Sequence, residues 1–162
     1  ITAQLFSTWP VVAALALGGG LMLAVDRWAA GRALTRTIES LTVREALLIG
    51  TAQCLALWPG TSRAMVTIVA GLVLGLSATA AAEYSFLLAL PTLGAATLFD
   101  AAVGGRALVE ESGVLSVVGG FLAAAVVAAL AIRGLLRYLT HRGLAPFGWY
   151  RLALAAIVWG IR

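Results

Sequence analysis

Long apolar stretches alternate with short polar stretches along most of the chain. Three apolar stretches, residues 9–25, 78–102 and 113–132, are each long enough, with their flanks, to span a hydrocarbon core about 30 Å thick. A shorter apolar stretch follows at residues 147–161. Because only helices and closed barrels satisfy their backbone hydrogen bonds in lipid, this pattern predicts an all-α polytopic membrane protein, with residues 1–162 forming a single membrane domain.

Two further apolar runs, residues 46–58 and 64–76, are too short to cross a bilayer alone. Each has about 13 residues, or ~20 Å at the helical rise of ~1.5 Å per residue. Pro59 ends the first run, since proline lacks an N–H and clashes with the preceding turn, and Gly60 permits backbone angles that other residues avoid. The pattern predicts a re-entrant hairpin of two half-helices over about residues 45–76, and two full spans remain the alternative.

The composition supports a membrane protein and excludes several other classes. Hydrophobic residues make up 62% of the chain and charged residues 11%, whereas soluble domains have about 45–50% and about 25%. This excludes a soluble enzyme and a disordered segment, and the single cysteine, Cys54, excludes a disulfide scaffold. The formal net charge is +4, but the 11 basic residues are all arginines spread between apolar runs, so we expect no nucleic-acid partner.

The positions of the arginines predict the orientation of the spans. The polar connections before residue 45 and after residue 132 are rich in arginine, so the positive-inside rule places both in the cytoplasm. The stretch 104–112 has one arginine and two glutamates and is predicted to be a loop on the opposite side. Arg151, in the last short span, is expected to reach the cytoplasmic headgroups. The predicted cytoplasmic loop after residue 132 contains Arg133, Arg137, His141 and Arg142, and His141 is not expected to be catalytic.

The break between the two short runs is the predicted site of chemistry. Thr61 or Ser62 can cap the second helix, whose free N–H groups and partial positive charge then favour an anion. Arg63 lies at the same point, and a central arginine costs about 2.5–3.5 kcal/mol in a membrane, which a phosphate matched to its donors would offset. We therefore predict an anion site in one cavity at the break. The alternatives are that Ser62 is only a cap and that Arg63 pairs with a buried carboxylate or extends to the membrane surface.

Three segments at and after the break carry a specific pattern. They read IGTAQCLALWPGTSR at residues 49–63, GLVLGLS at 71–77 and AAEYSFLLALP at 81–91. The first resembles the second signature of the undecaprenyl-diphosphate phosphatases, the bacitracin-resistance protein family, and the other two resemble the blocks that follow it. The resemblance covers nearly all of the chain.

The resemblance implies a multi-pass phosphatase of the bacterial inner membrane. Such an enzyme removes the terminal phosphate from the undecaprenyl diphosphate left by cell-wall polymer synthesis, and the monophosphate carrier is recycled. The implied fold is an inverted repeat with two re-entrant hairpins, of which this chain would hold one half. The expected partners are the polyprenyl diphosphate lipid and the membrane, a homodimer is allowed, and the expected cofactor is a divalent cation, Mg²⁺ or Ca²⁺.

The resemblance also assigns roles to residues of the break. Arg63 matches the family arginine expected to bind the diphosphate, Ser62 matches the serine before it, and both are predicted to be catalytic. Gln53 matches a family glutamine that would bind the loop or the substrate, with a helix–helix hydrogen bond as the alternative. The predicted substrate-binding residues are Thr61, Gly60, Pro59 and Gln53. Glu83, early in the next span, is a further candidate for a role near the cavity.

Two departures from the family pattern qualify the expectation. Ala64 and Met65 stand where the family usually has serine and glycine. The first family signature, two glutamates four apart followed by a Pro-x-Ser-Ser-x-Gly-His loop, is absent, so we expect the cation ligands in a missing N-terminal half and none in this chain. The chain is thus expected to be a C-terminal fragment that is inactive alone. A polyprenyl-phosphate transporter or flippase, and a non-catalytic membrane paralogue, remain as alternatives.

Overall fold

The computed structural model describes the backbone of residues 8–160 and the side chains of residues 9–160. Apart from one isolated bridge between Arg36 and Leu76, the regular secondary structure of this range is helical. The α-helices are α1 (Thr8–Ala30), α2 (Val43–Ala52), α3 (Arg63–Val73), α4 (Ala78–Ser112), α5 (Val114–Arg142) and α6 (Ala145–Gly160). Two short 3₁₀ helices, Ile38–Ser40 and Gln53–Leu57, lie before and after α2.

Helices α1, α4 and α5 are long and apolar enough to cross a membrane, over 22, 35 and 29 residues. The second half of α4 and most of α5 expose large apolar side chains, among them Phe99, Leu115 and Phe121, which are 69%, 86% and 70% accessible. A soluble monomer rarely leaves so much contiguous apolar surface uncovered, whereas lipid replaces water at no cost to such a surface. The chain is an all-α polytopic membrane protein, as its apolar pattern predicts.

The predicted outer loop at residues 104–112 is wrong, because α4 continues without interruption to Ser112. Arg106 and Glu110 pair at 2.9 Å with the i,i+4 spacing that stabilises a helix. The chain turns only at Gly113. Charged residues in this stretch therefore continue the helix instead of ending it.

The predicted connecting loop after residue 132 is also helical. The residues placed there by sequence, Arg133, Arg137, His141 and Arg142, all lie on α5. Nδ1 of the His141 ring lies 2.8 Å from the Arg137 carbonyl oxygen, one helical turn earlier. Basic residues near a helix C-terminus interact favourably with the helix dipole, so they extend α5 to Arg142.

Helices α1 and α6 run antiparallel in close contact. The rings of Trp9 and Trp159 meet edge to face with centroids 4.3 Å apart at one end of the pair. A Cβ on Gly19 would lie 2.9 Å from the Gly148 carbonyl oxygen, so glycine is what allows this approach. At the other end, the Asp26 carboxylate accepts the Leu144 N–H at 2.6 Å, at the start of α6.

The short helix α3 occupies the core of the described residues. Seven of its residues are buried, and Leu72 is only 2% exposed. Its contact with α4 is close, since a Cβ on Gly71 would lie 2.9 Å from the Cβ of Ala81. The helix ends in a Schellman turn, in which Gly75 has a φ of +91° and the Leu76 N–H donates to the Gly71 carbonyl at 3.0 Å.

Arg36, in the polar connection after α1, joins both ends of the hairpin formed by α2 and α3. Its guanidinium donates to the Glu45 carboxylate at 2.8 Å, to the Leu74 carbonyl at 2.7 Å and to the Ser40 carbonyl at 2.8 Å. Glu45 belongs to the first turn of α2, and Leu74 caps the end of α3. Arg36 first, and then the Thr42 N–H and hydroxyl, lower the pKa of the Glu45 carboxylate from its ordinary 4.5 to about 2.

Candidate functional site

The chain breaks its helical path between α2 and α3, where the sequence predicts the break. Helix α2 ends at Ala52 and continues as the 3₁₀ helix Gln53–Leu57, so the predicted first half-helix is α-helical only as far as Ala52. Pro59 explains the change, because its ring clashes with the carbonyl four residues earlier and biases Trp58 towards extended backbone. Trp58 has φ −73° and ψ 126°, and its carbonyl accepts the Thr61 N–H at 3.0 Å to close a turn.

Gly60 lies at the tip of this break and packs against the backbone of α1. Its φ is +86°, a conformation that L side chains rarely adopt. A Cβ there would lie 2.9 Å from the Val11 carbonyl oxygen and 3.2 Å from the Cβ of Ala14. Glycine is therefore required at this position both by the backbone angle and by the space.

Ser62 caps α3 and lines a cavity of about 280 Å³. Its hydroxyl accepts the Met65 N–H at 3.3 Å, which is the capping role that the sequence analysis kept as an alternative. Arg151 lines the same cavity. The remaining walls are apolar and aromatic: Met22, Ala64, Met65, Ile68, Leu135, Leu139, Leu144, Phe147 and Tyr150.

Arg63 begins α3 and lines a larger cavity of about 720 Å³ together with Glu83. Its Nη1 atom is buried and has no hydrogen-bond partner within residues 8–160. The ion pairs of that range are Arg36–Glu45 and Arg106–Glu110, so neither Arg63 nor Glu83 is paired there. The other residues around this cavity are apolar: Ile38, Phe86, Leu87, Ala89, Leu90, Leu93, Ala128, Ala131, Ile132 and Leu136.

The predicted site residues do not share one cavity. Ser62 and Arg63 line the two cavities just described, and Thr61 lines a third of about 430 Å³ beside Trp58 and α1. The physical reason is that α3 begins at this point, and the side chains of successive helical residues point in directions about 100° apart. Among the described residues, Thr61, Ser62 and Arg63 therefore line three different cavities.

Three buried side-chain polar atoms lack a hydrogen-bond partner in the part of the chain that the structure describes. They are Gln53 Oε1, Arg63 Nη1 and Arg151 Nε. Gln53 begins the 3₁₀ helix that leads into the break, and Arg63 begins the helix that leads out. Arg151 contacts the break at Gly60. Since buried polar groups in proteins are nearly always bonded, each of these atoms is a candidate to bind a polar ligand.

Arg151 is the main residue of the site that the sequence analysis missed. The expectation that it reaches the headgroups is wrong, because it is only 8% exposed and lies inside the helix packing. Its Nη2 donates to the Gly60 carbonyl at 2.9 Å and to the Ala14 carbonyl at 3.2 Å. In the sequence, its role is indicated only by the presence of an arginine within an apolar stretch. Its two acceptors lie 91 and 137 residues away along the chain, so no local pattern contains them.

Thr67 was also missed, one turn after the predicted site residues. Its hydroxyl lies 2.7 Å from the Ser85 hydroxyl of α4, and both residues are 1% exposed. It also lies 3.0 Å from the Arg63 carbonyl oxygen and 3.2 Å from that of Ala64. This buried pair fixes the first turn of α3, and hence Arg63, against α4.

A divalent cation does not fit the described residues on their own. No group of three or more His, Cys, Asp or Glu side chains that could hold a metal ion occurs among them. Glu83 is the carboxylate that lines the same cavity as Arg63, and the other described residues that line this cavity offer no carboxylate, imidazole or thiol. We therefore derive no chemical step through a cation from these residues.

Comparison with known proteins agrees with the pattern around the break. The family model described as bacitracin resistance protein BacA matches residues 1–157. The undecaprenyl-diphosphatase of Sorangium cellulosum is 52% identical over 98% of this chain and 52% of its own length. Undecaprenyl-diphosphatase 1 of Chromobacterium violaceum is 45% identical over 99% of this chain and 58% of its own length.

A more distant relative gives the same result. The undecaprenyl-diphosphatase of Geobacillus thermodenitrificans is 39% identical over 98% of this chain and 58% of its own length. The chain thus spans about half the length of the curated relatives it matches. The resemblance seen in the sequence is confirmed along nearly the whole chain, and the chain belongs to the bacitracin resistance protein BacA family.

Proposed function

We propose that this protein is an undecaprenyl-diphosphate phosphatase of the bacterial inner membrane. It would hydrolyse a polyprenyl diphosphate to the monophosphate and phosphate in the recycling of the cell-wall carrier lipid. Relatives that match nearly the whole chain carry the name undecaprenyl-diphosphatase. The observation that carries the proposal is the buried Nη1 atom of Arg63, which forms no hydrogen bond within residues 8–160.

The diphosphate binds at Arg63 in this proposal, and the first part of the prenyl chain lies in the same cavity. A guanidinium offers several donors that match phosphate oxygens, and Nη1 of Arg63 is buried with no partner among residues 8–160. The apolar walls of the cavity come largely from α4 and α5, the helices that expose apolar side chains to the surroundings. The cavity therefore suits a molecule with an anionic head and an apolar tail.

The arginine and the start of α3 would stabilise charge on the transferred phosphoryl group. The transition state of phosphoryl transfer spreads negative charge over the equatorial oxygens, and positioned donors act on it in a site with little water. Glu83 lines the same cavity and repels those oxygens, so the head is oriented towards Arg63. In this proposal water attacks the terminal phosphorus, the bond from that phosphorus to the bridging oxygen breaks, and the monophosphate lipid leaves. Ser62 lines the neighbouring cavity and acts as the cap that holds the start of α3.

The hairpin of α2 and α3 is re-entrant in this proposal. Its helices have 10 and 11 residues, about 15–17 Å at the helical rise of ~1.5 Å, which is well short of a hydrocarbon core. Both of its outer ends meet at Arg36, while its tip at Gly60 lies against α1. The chain would then enter and leave on one side. The inverted repeat remains a proposal taken from the resemblance.

The test is phosphate release from undecaprenyl diphosphate by the protein expressed from its complete reading frame and purified in detergent. Arg63→Ala is compared with Arg106→Ala, which changes an arginine on the exposed side of α4. We expect release by the parent and by Arg106→Ala, and a loss of about 100-fold or more in Arg63→Ala. Release that survives in Arg63→Ala contradicts the assignment of Arg63, and no release by the folded parent contradicts the phosphatase.

The same assay tests the cofactor, which we propose to be Mg²⁺ or Ca²⁺ held with ligands from outside residues 8–160. Removal of divalent cations with a chelator is expected to abolish release, and either ion is expected to restore it. Unchanged release after chelation would contradict this part of the proposal alone.

A further inference from the structure

Arg151 joins three segments of the fold at the break. The residue belongs to α6, and its Nη2 donates both to the Gly60 carbonyl of the break and to the Ala14 carbonyl of α1. It is 8% exposed. One buried guanidinium therefore fixes the distance between the break and the antiparallel pair of α1 and α6.

Burying the Arg151 guanidinium carries a desolvation penalty that packing alone does not explain. Among the described residues no carboxylate forms an ion pair with Arg151. Its guanidinium is therefore stabilised by hydrogen bonds to carbonyl oxygens. An apolar side chain of similar volume would fill the same space without the desolvation penalty of a buried charge. Space for the guanidinium depends on Gly18, where a Cβ would lie 2.8 Å from Nη2.

Gly60 is the point through which Arg151 acts on the site. Its carbonyl belongs to the peptide that leads into Thr61, two residues before the cap Ser62 and three before Arg63. The N–H of the same peptide, that of Thr61, donates to the Trp58 carbonyl within the break, and Gly60 packs against Val11, so Arg151 supplies the hydrogen bond that ties this peptide to α6. A bond of 2.9 Å to a buried guanidinium therefore sets the direction in which the chain enters α3.

We propose that Arg151 is a positioning residue, which holds the Gly60 peptide and through it the cap and the first turn of α3 in the geometry that receives the phosphoryl group. The inference rests on the proposed phosphatase function. It assigns no substrate contact to Arg151. Loss of its two bonds therefore changes how the site is held, while the donors of Arg63 are all retained.

The kinetic test compares Arg151→Met, Arg151→Lys and the control Arg133→Met, an exposed arginine of α5. All are made in the protein expressed from its complete reading frame, and rates are normalised to folded protein. We expect kcat to fall about tenfold or more in Arg151→Met with KM nearly unchanged, because misplacement by ~1 Å costs up to about 100-fold. Arg151→Lys keeps a donor and should recover part of the rate, and Arg133→Met should match the parent. A rise in KM at constant kcat would overturn the proposal, since it indicates direct substrate binding.

A second readout does not depend on activity. Cys54 lies on the 3₁₀ helix that leads into the break and is exposed, so a spin label there reports the mobility of this segment. In a background where Cys54 is the only cysteine, we expect a more mobile spectrum in Arg151→Met, an intermediate one in Arg151→Lys and no change in Arg133→Met. An unchanged spectrum in Arg151→Met overturns the positioning role. If the parent releases no phosphate, the phosphatase proposal fails, and the label still decides whether Arg151 positions the break.

Discussion

At the scale of single residues, the break combines a glycine that leaves no room for a side chain with buried polar side chains. Gly60 must have no side chain, because its backbone angle and the approach of Val11 leave no room. Arg63 and Gln53 have buried polar atoms without a partner in residues 8–160. Arg151 donates two hydrogen bonds to carbonyl oxygens. The unpartnered atoms of Arg63 and Gln53 thus lower the stability of the unliganded protein, because burying a polar group without a hydrogen bond is unfavourable.

Gly60→Ala is expected to destabilise the protein by about 1–3 kcal/mol, since it adds backbone strain and a contact with the Val11 carbonyl. Gly50→Ala is the matched control, because a Cβ at Gly50 on α2 meets nothing within 4 Å. Unfolding midpoints in detergent measure both. Equal midpoints for the two variants would contradict the close approach of the break to α1.

At the scale of elements, α3 is held at both ends by polar contacts with its neighbours. Thr67 and Ser85 join its first turn to α4 through a buried bond of 2.7 Å. Arg36 joins its last carbonyl, Leu74, to Glu45 at the start of α2. The site residues of α3 are therefore placed by two fixed points instead of by lipid.

Thr67→Val should cost about 1–3 kcal/mol, because it leaves the buried Ser85 hydroxyl without its partner. Ser85→Ala should cost less, since Thr67 keeps the Arg63 and Ala64 carbonyl oxygens. In a double-mutant cycle of unfolding free energies, the pair should be coupled by about 0.5 kcal/mol or more. Purely additive effects would show that the two hydroxyls act independently.

The ion pair at the open end of the hairpin gives the stability a pH dependence. The folded protein lowers the pKa of Glu45 to about 2 from 4.5, so the carboxylate contributes stability that is fully present above pH 4.5 and is lost as the pH falls towards 2. In Glu45→Gln, the unfolding midpoint should depend less on pH between 4.5 and about 2. The control Glu110→Gln, which changes an exposed ion pair, should show the same pH dependence as the parent. The same slope in the parent and in Glu45→Gln would contradict this account.

At the scale of the whole molecule, a small packed region stands beside two long exposed helices. The packed region contains α1, α3, α6 and the start of α4, whereas α5 and the second half of α4 have few buried residues. The larger cavity lies where these two parts meet, since Arg63 and Glu83 line it together with α5 residues such as Ile132. Arg63 thereby lines a cavity with mainly apolar walls, which suits the lipid diphosphate of the proposed function.

Hydrophobic pattern and turn chemistry were enough to predict the membrane class, the three long helices and the break at Pro59 and Gly60. These features are local, because span length and proline geometry depend on neighbouring residues. The extent of α4 was wrong because Arg106 and Glu110 were interpreted as a loop, although their spacing also fits a helix. The extent of α5 was wrong because the basic residues between Arg133 and Arg142 were interpreted as a loop. A charge pattern alone does not distinguish the two.

The site could be predicted only in part, since its geometry depends on contacts between distant segments. The bonds from Arg151 to Ala14 and Gly60 join residues 137 and 91 positions apart. No local pattern contains that information. In the same way, Ser62 and Arg63 are adjacent in sequence but line different cavities, because the start of a helix turns them in different directions.

The most direct measurement is photo-crosslinking of a polyprenyl diphosphate that carries a photoreactive group near the start of its chain. The central claim is that Arg63 holds the head while the tail lies along α4 and α5. We expect crosslinks to wall residues of the Arg63 cavity, such as Leu90 and Ile132, and their loss in Arg63→Ala. Crosslinks to Leu139 and Phe147, which line the Ser62 cavity, or crosslinks that persist in Arg63→Ala, would contradict the account.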